Sequence, residues 1–148
     1  MHGNWSWRSN VTVTVRRGGL IVARHRFHNL ITTVGLSLVR DAILGTDSLE
    51  ITEVAIGDNN TAPTVGDTAL ANERLRIAII DKAIVDADTA ITTAYVAPFE
   101  ANTFTIEEIG WFGGPFNDEM LSRVLFNHTK TDLESIQIDR QDSFAEKP

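Results

Sequence analysis

Hydrophobic and polar residues alternate along much of the chain with the period-two spacing that is typical of β-strands. Val11–Val15 reads Val-Thr-Val-Thr-Val, and Leu20–Phe27 continues the pattern after a short gap. Arg17–Gly19 lies in this gap and ends in two glycines, which favours a tight hairpin turn. Further strands are predicted at Ile51–Ile56, Arg74–Val85, Ile91–Ala97, Phe104–Phe112, Met120–Phe126 and Leu133–Ile138.

One segment has a helical pattern instead. Leu30–Leu44 can begin at an N-cap on Asn29 and end at Gly45 in a left-handed conformation. Its polar residues fall within an arc of about 100°, so its apolar surface is wider than contact with one sheet requires. Two interpretations remain open: a hairpin of the same chain covers the helix, or its far side contacts another subunit. A short helical turn is also predicted at Thr68–Asn72.

These elements predict a mainly β fold, an antiparallel sheet or sandwich with one main α-helix at about residues 30–44 packed against it. At 148 residues, one domain is expected. We predict a single β-rich structural domain at residues 11–140, an N-terminal arm at residues 1–10 and a C-terminal tail at residues 141–148.

The alternation changes phase inside the strand predicted at Phe104–Phe112. Ile106 shares a face with Glu108, whereas Ile109 and Trp111 point to the other side. Either both faces of this strand are buried, or a β-bulge resets the alternation.

The charges are distributed unevenly. Residues 1–40 contain six arginines and neither Asp nor Glu, whereas all 20 acidic residues follow. Opposite charges on separate segments can steer association and fix its register. Either the two halves neutralise each other within one fold, or a basic segment of one copy contacts an acidic segment of its neighbour. Nucleic-acid binding ranks third, because the basic stretch has no recognition motif and no aromatic stacking platform.

Composition and motifs argue against an enzyme. The chain has no cysteine, which excludes disulfides and thiol chemistry, and it lacks the nucleophile-elbow, Walker, dinucleotide-binding and zinc-protease motifs. His25 and His28 fall on opposite faces of a strand, as do Glu107 and Glu108, so neither pair can share a metal or a proton. Asp58–Asn60 lacks the spacing of a calcium loop. We expect no catalytic residue, no metal, no cofactor and no membrane span.

Aromatic and basic residues are the candidates for partner contacts. Trp5 and Trp7 lie in a polar stretch, on one face of an extended segment. Such rings often anchor interfaces, although packing on their own domain is the alternative. The rings at Trp111–Phe116 either close the core or form an exposed contact. The full candidate set is Trp5, Trp7, Arg16, Arg17, Arg24, Arg26, Trp111, Phe112 and Phe116.

Several segments, in this order, resemble the N-terminal region of phage tail-fibre proteins and related small tail or baseplate proteins. They are Leu30–Asp41, Ile51–Asp58, Thr61–Thr64, Asp67–Arg76 and Phe104–Gly113, the last similar to the family strand I-x-E-I-G-L-F. In that family the region attaches a fibre to the baseplate or tail tip. The resemblance implies a virion structural protein that self-assembles as a homo-oligomer and docks on other virion proteins.

Because the sequence given ends at Pro148, shortly after these segments, we expect neither a fibre shaft nor a receptor-binding tip. We therefore expect an adaptor or a small fibre-like subunit, assembled in the host bacterial cytoplasm as a trimer or another multiple that fits tail symmetry. The alternatives are a capsid decoration protein and a monomeric ligand-binding module.

One ion pair is also predicted. Arg76 and Glu108 both lie in apolar strands. Burying one unpaired charge there costs on the order of several kcal/mol in folding free energy. We therefore expect these two side chains to contact each other.

Overall fold

The computed structural model describes residues 4–147 as two five-stranded antiparallel sheets and one helix. The first sheet has the strand order β2-β1-β10-β7-β6, and the second has the order β3-β9-β8-β4-β5. The predicted fold class is confirmed. The elements are β1 (Asn4–Arg17), β2 (Leu20–His28), β3 (Leu30–Ile31), α1 (Thr33–Leu44), β4 (Ile51–Gly57), β5 (Glu73–Ala78), β6 (Asp81–Asp86), β7 (Thr89–Val96), β8 (Ile106–Gly113), β9 (Glu119–His128) and β10 (Glu134–Lys147).

Side chains from both sheets form the main core. The odd-numbered residues Val11, Val13 and Val15 of β1 are fully buried, and Ile109 and Trp111 of β8 join the same cluster. Burying one such aliphatic side chain contributes about 1.5–3 kcal/mol, so this cluster is the main source of stability. The odd-numbered face of β1 is therefore the inward face of the first sheet.

The predicted hairpin is confirmed. β1 and β2 pair in antiparallel fashion, and Gly18 and Gly19 connect them with φ angles of +56° and +80°. Positive φ at both central positions is the geometry of a type I′ turn, whose twist matches that of the two strands. The glycines are needed because other residues rarely adopt this conformation.

β1 and β10 form a 14-residue antiparallel ladder from Asn4–Lys147 to Arg17–Glu134. The boundaries predicted at residues 10 and 140 fall inside these two strands. Where they are described, the residues predicted as an arm and a tail are paired with each other in the first sheet, because each strand supplies the other's hydrogen bonds. Residues 1–3 and 148 lie outside the described residues.

The predicted irregularity in β8 is confirmed, and both of its proposed causes are present. The β8–β9 pairing shifts between Ile106 and Glu108, and again between Trp111 and Phe112. All residues of β8 except Glu107 are also buried. A strand buried on both faces has no need of strict alternation.

The single strand predicted at Arg74–Val85 is wrong, because the chain changes sheets in the middle of it. The N–H of Ile79 donates to the carbonyl of Thr52, with an N–O distance of 2.9 Å. The next N–H, that of Ile80, donates to the carbonyl of Thr93 in the other sheet at 2.8 Å. The alternation continues up to this crossing, so the sequence pattern does not reveal it.

The helix begins later than predicted. It covers Thr33–Leu44, and its N-cap is Thr32, whose side-chain oxygen accepts a backbone N–H of the first turn. Asn29 was the wrong cap, because Leu30–Ile31 pairs with β9 before the helix starts. The predicted end at Gly45 is confirmed, with a φ of 70°.

Only one side of the helix packs against the rest of the described chain. Gly35 and Leu38 are buried against β9, whereas Leu36, Ile43 and Leu44 are 51%, 77% and 69% exposed. Within residues 4–147 no hairpin covers the far side, so that interpretation is wrong. A subunit contact there remains a hypothesis.

The close approach of the helix to β9 gives the first prediction. A Cβ added at Gly35 would lie 2.6 Å from the carbonyl oxygen of Leu121, a backbone atom that cannot move aside. We expect Gly35→Ala to lower the free energy of unfolding by about 1–2 kcal/mol, because overpacking costs more than the gain in helix propensity. Urea unfolding measures this, with Gly66→Ala as the control, since Gly66 faces open space. Equal stability of the two variants would contradict the tight packing.

Candidate docking surface

The N-terminal part of β1 and the C-terminal part of β10 form an aromatic ledge, which we define as residues 4–9 and 142–147. Trp5, Trp7 and Phe144 lie on its inward face, in register with the core valines. The rings stack, with centroid distances of 6.3 Å between Trp5 and Phe144 and 5.6 Å between Trp7 and Phe144. Trp5 is 54% exposed and Phe144 is 41% exposed, which shows that the second sheet leaves these two rings uncovered.

Buried polar contacts hold the ledge in place. Nε1 of Trp7 donates to Oδ1 of Asp142 at 2.8 Å, and Nε of Arg140 donates to Oδ2 of the same carboxylate at 2.8 Å. Arg140 is fully buried and also donates to the hydroxyl of Ser122 on β9. Charge-assisted bonds of this kind fix orientation. The side chains that hold Trp7 in place therefore contact both sheets.

The ledge and the far side of the helix enclose an apolar groove of about 310 Å³. Its lining consists of Trp5, Leu36, Val39, Arg40, Ile43 and Leu44, and Arg40 is the charged member of this set. Exposed apolar side chains that converge on one groove are typical of protein interaction sites. We call this set of residues the ledge–helix groove.

A second apolar cleft, of about 410 Å³, opens between the two sheets next to the ledge. Trp7 and Phe144 line it on one side and Leu121 on another, and Ile84 of β6 lies at its edge with 89% of its side chain exposed. The ends of the two sheets therefore leave apolar surface open to solvent.

The basic candidates lie elsewhere, on the β1–β2 hairpin. Arg16 is half-buried and donates to the side-chain oxygen of Gln137 at 2.7 Å. Arg17, Arg24 and Arg26 are exposed and line neither the groove nor the cleft. The aromatic and basic candidates therefore belong to different surfaces.

Two of the aromatic candidates are core residues. Trp111 and Phe112 are 0% and 2% exposed, so their interpretation as partner contacts is wrong. Both lie on β8, which is covered on its two faces. Phe116, in the turn that follows, is 81% exposed.

The predicted pair of Arg76 with Glu108 is also wrong. Glu108 is fully buried, but its partner is Arg123, whose Nη2 lies 2.8 Å from Oε2. Glu108 also accepts the backbone N–H groups of Ala71 and Asn72 at 3.0 and 2.8 Å. Arg76 instead contacts other acidic groups and stacks on a ring. A lone arginine within the apolar strand Met120–Phe126 was the signal that could have revealed the true partner.

Arg123 also fastens the loop that follows β4. It donates to the carbonyl of Thr61 at 2.7 Å and lies 3.5 Å from the carboxylate of Asp67. Burial raises the pKa of Asp67, but hydrogen bonds from Thr64 and the charge of Arg123 outweigh it and hold the pKa below its usual value. The helical turn predicted at Thr68–Asn72 is wrong, because the backbone N–H groups of Ala71 and Asn72 donate to the carboxylate of Glu108 on β8.

The described residues show neither of two other kinds of site. Residues 4–147 contain no group of three or more His, Asp or Glu side chains that could hold a metal ion. No helix in this part of the chain is long and apolar enough to cross a membrane.

A family model described as "Phage tail-collar fibre protein, N-terminal" matches residues 23–132. The chain belongs to this family. It is therefore a structural component of a phage tail fibre, and so of the virion. Proteins of such structural families are typically non-enzymatic and interact with other virion proteins. No curated protein and no solved structure shows a significant match to the chain.

The family match covers the helix but not the ledge. Residues 23–132 contain α1, whereas Trp5, Trp7 and Phe144 lie outside them. Phe144 was missed by sequence reasoning, because it lies in the segment predicted as a tail. In this tail-collar fibre protein, the groove thus combines the helix of the matched region with Trp5 of β1, which precedes that region.

The buried ion pair gives the second prediction. Arg123→Met should lower the free energy of unfolding by about 3–5 kcal/mol, because Glu108 would stay buried without its counter-charge. The control is Arg76→Met, which removes a partly exposed arginine and should cost about 1 kcal/mol. Urea unfolding at neutral pH measures both. Similar losses for the two variants would show that the buried pair has no special role.

Proposed function

We propose that this tail-fibre module self-assembles, and that it docks on a neighbouring tail or baseplate protein. The docking surface is the ledge–helix groove. In this role the module attaches a fibre to the particle as an adaptor. We further propose that assembly takes place in the host bacterial cytoplasm and that the copy number follows the symmetry of the tail, with a trimer as the simplest case.

The observation that carries the proposal is the exposure of large apolar side chains around one groove. Ile43 and Leu44 are 77% and 69% exposed, and Trp5 is 54% exposed. Exposure of such side chains to water is unfavourable. A partner that covers them gains about 25 cal/mol of binding free energy per Å² of apolar area buried. Tryptophan is also enriched among the residues that dominate binding energy.

The geometry of the groove supports the same role. Its aromatic member, Trp5, stacks on Phe144 with a centroid distance of 6.3 Å, and Phe144 stacks in turn on Trp7, whose Nε1 donates to Asp142. A preformed surface binds more tightly than a flexible one of equal area, because less conformational entropy is lost. A rigid apolar groove thus suits a permanent joint in a particle.

The two alternative functions lack comparable support. Capsid decoration was favoured by the possibility of an extended basic arm, but residues 4–17 lie in β1 of the chain's own sheet. A ligand-binding module would need a concave polar pocket, whereas the groove and the cleft are lined mainly by apolar side chains. A more polar hollow of about 410 Å³, lined in part by Asn10, Arg26 and His28, is the feature that such a module would use. Membership of a tail-fibre family favours the tail over the head.

The third prediction tests the groove in particles. We expect Ile43→Gln combined with Leu44→Gln to reduce incorporation into virions by about tenfold or more, because a loss of about 1.4 kcal/mol in binding suffices for that change. Both side chains are exposed and glutamine is a good helix former, so the melting temperature should stay unchanged. Incorporation is measured by quantitative mass spectrometry of purified particles from a complemented phage.

The matched control is Val65→Gln, which replaces another exposed aliphatic side chain, 56% exposed, outside the groove. It should enter particles at the normal level. Normal incorporation of the double variant, with its fold intact, would contradict docking through the groove.

A further inference from the structure

The first sheet ends in two edge strands of opposite charge. β2 and β6 are each paired on one side only, to β1 and β7. β2 carries Arg24 and Arg26 and no acidic residue, whereas β6 carries Asp81 and Asp86 and is followed by Asp88. Among residues 4–147 none of these five side chains takes part in an ion pair. The one basic residue of β6, Lys82, is paired with Glu50. Both edges therefore present charges that the described part of the chain does not neutralise.

The opposite charges also lie on the same face of the sheet. The register places Arg26 opposite Thr12, Thr12 opposite Asp139, Asp139 opposite Thr93, and Thr93 opposite Asp81. Arg26 and Asp81 thus end one row of side chains that crosses all five strands. Because Thr12 is an even-numbered residue of β1, this row lies on the outward face.

Aliphatic side chains accompany the charges. Leu20, Ile21 and Val22 at the start of β2 are at least 50% exposed, and Ile84 and Val85 of β6 are 89% and 54% exposed. A free edge with exposed β-branched residues is prone to pair with another strand. Arginines alone would protect β2 from pairing with a second β2, and aspartates would protect β6 from a second β6. These charges do not prevent β2 from pairing with β6, because the arginines of one strand and the aspartates of the other attract each other.

We propose that copies of this chain assemble by pairing β2 of one copy with β6 of the next, so that the first sheets join into a continuous sheet. This inference deepens the proposed function and rests on it, because it names the surface through which the module self-assembles. The ledge–helix groove then stays free for the neighbouring virion protein.

The topology dictates how the two edges meet. Each of the four pairings in the first sheet is antiparallel, so β2 and β6 run in the same direction. When a second copy continues the sheet with its charged face on the same side, β2 and β6 pair in parallel. A twofold axis normal to the sheet would instead bring two like edges together, with like charges opposed. The contact is therefore head-to-tail, and it forms a ring when the rotation between copies closes.

The test is the association state of the purified full chain, measured by sedimentation velocity over a range of concentrations. We expect a concentration-dependent oligomer for the unchanged chain. Arg24→Asp with Arg26→Asp should raise its dissociation constant about tenfold or more, and so should Asp81→Arg with Asp86→Arg. The variant with all four changes should regain association, because the two edges attract again with their signs exchanged. This recovery also excludes misfolding as the cause of the losses.

Two controls make the result specific. Asp47→Arg with Asp118→Arg makes the same change in net charge as the Asp81 and Asp86 variant, at exposed positions away from both edges, and it should leave association unchanged. The groove variant Ile43→Gln with Leu44→Gln should also still associate, which separates the two interfaces. A chain that stays monomeric at every concentration would overturn the proposal. So would association that ignores both charge reversals, because a different surface would then join the copies, whereas docking through the groove would stand.

Discussion

The long ladder between β1 and β10 is the constraint on which the rest of the structure depends. These strands are 14 residues long, whereas the strands of the second sheet have at most 10. The second sheet can therefore cover only part of the inward face of the first. The covered part is the valine core, and the uncovered part presents Trp5, Trp7 and Phe144. One difference in strand length thus produces both the stable core and the candidate docking surface.

Buried basic side chains hold loops and strand ends in place through hydrogen bonds that the two sheets do not provide. Arg140 ties the aromatic ledge to β9, and Arg123 ties the loop after β4 to β8. Lys130 donates to the carbonyls of Pro98 and Glu100 at 2.8 and 2.9 Å and closes the loop after β7. Burial lowers the pKa of Lys130, which nearby carboxylates partly oppose. In each case a basic group within an apolar surrounding satisfies polar atoms that would otherwise be buried without partners.

The match to the tail-collar fibre family acquires a structural meaning from the topology. Residues 23–132 contain both edge strands of the first sheet, except for the first residues of β2. They lack β1 and β10, which lie between those edges. The matched region therefore forms the second sheet and the flanks of the first, and the two outer segments of the chain complete the centre. The aromatic ledge is a feature of those outer segments.

Local physical chemistry made part of this structure predictable from the sequence. Period-two alternation, the Gly18–Gly19 turn, the left-handed cap at Gly45 and the phase slip in β8 each depend on residues that are close in the chain. The crossing between sheets at Ile79 and Ile80, the pairing of Glu108 with Arg123, and the placement of Trp5 on a ledge depend on distant residues. Periodicity reports which residues share a face, but it does not say what lies against that face. The sequence by itself therefore determined most of the strands, the main helix and its C-terminal end, whereas only the tertiary structure decided where the chain changes sheets and what each element contacts.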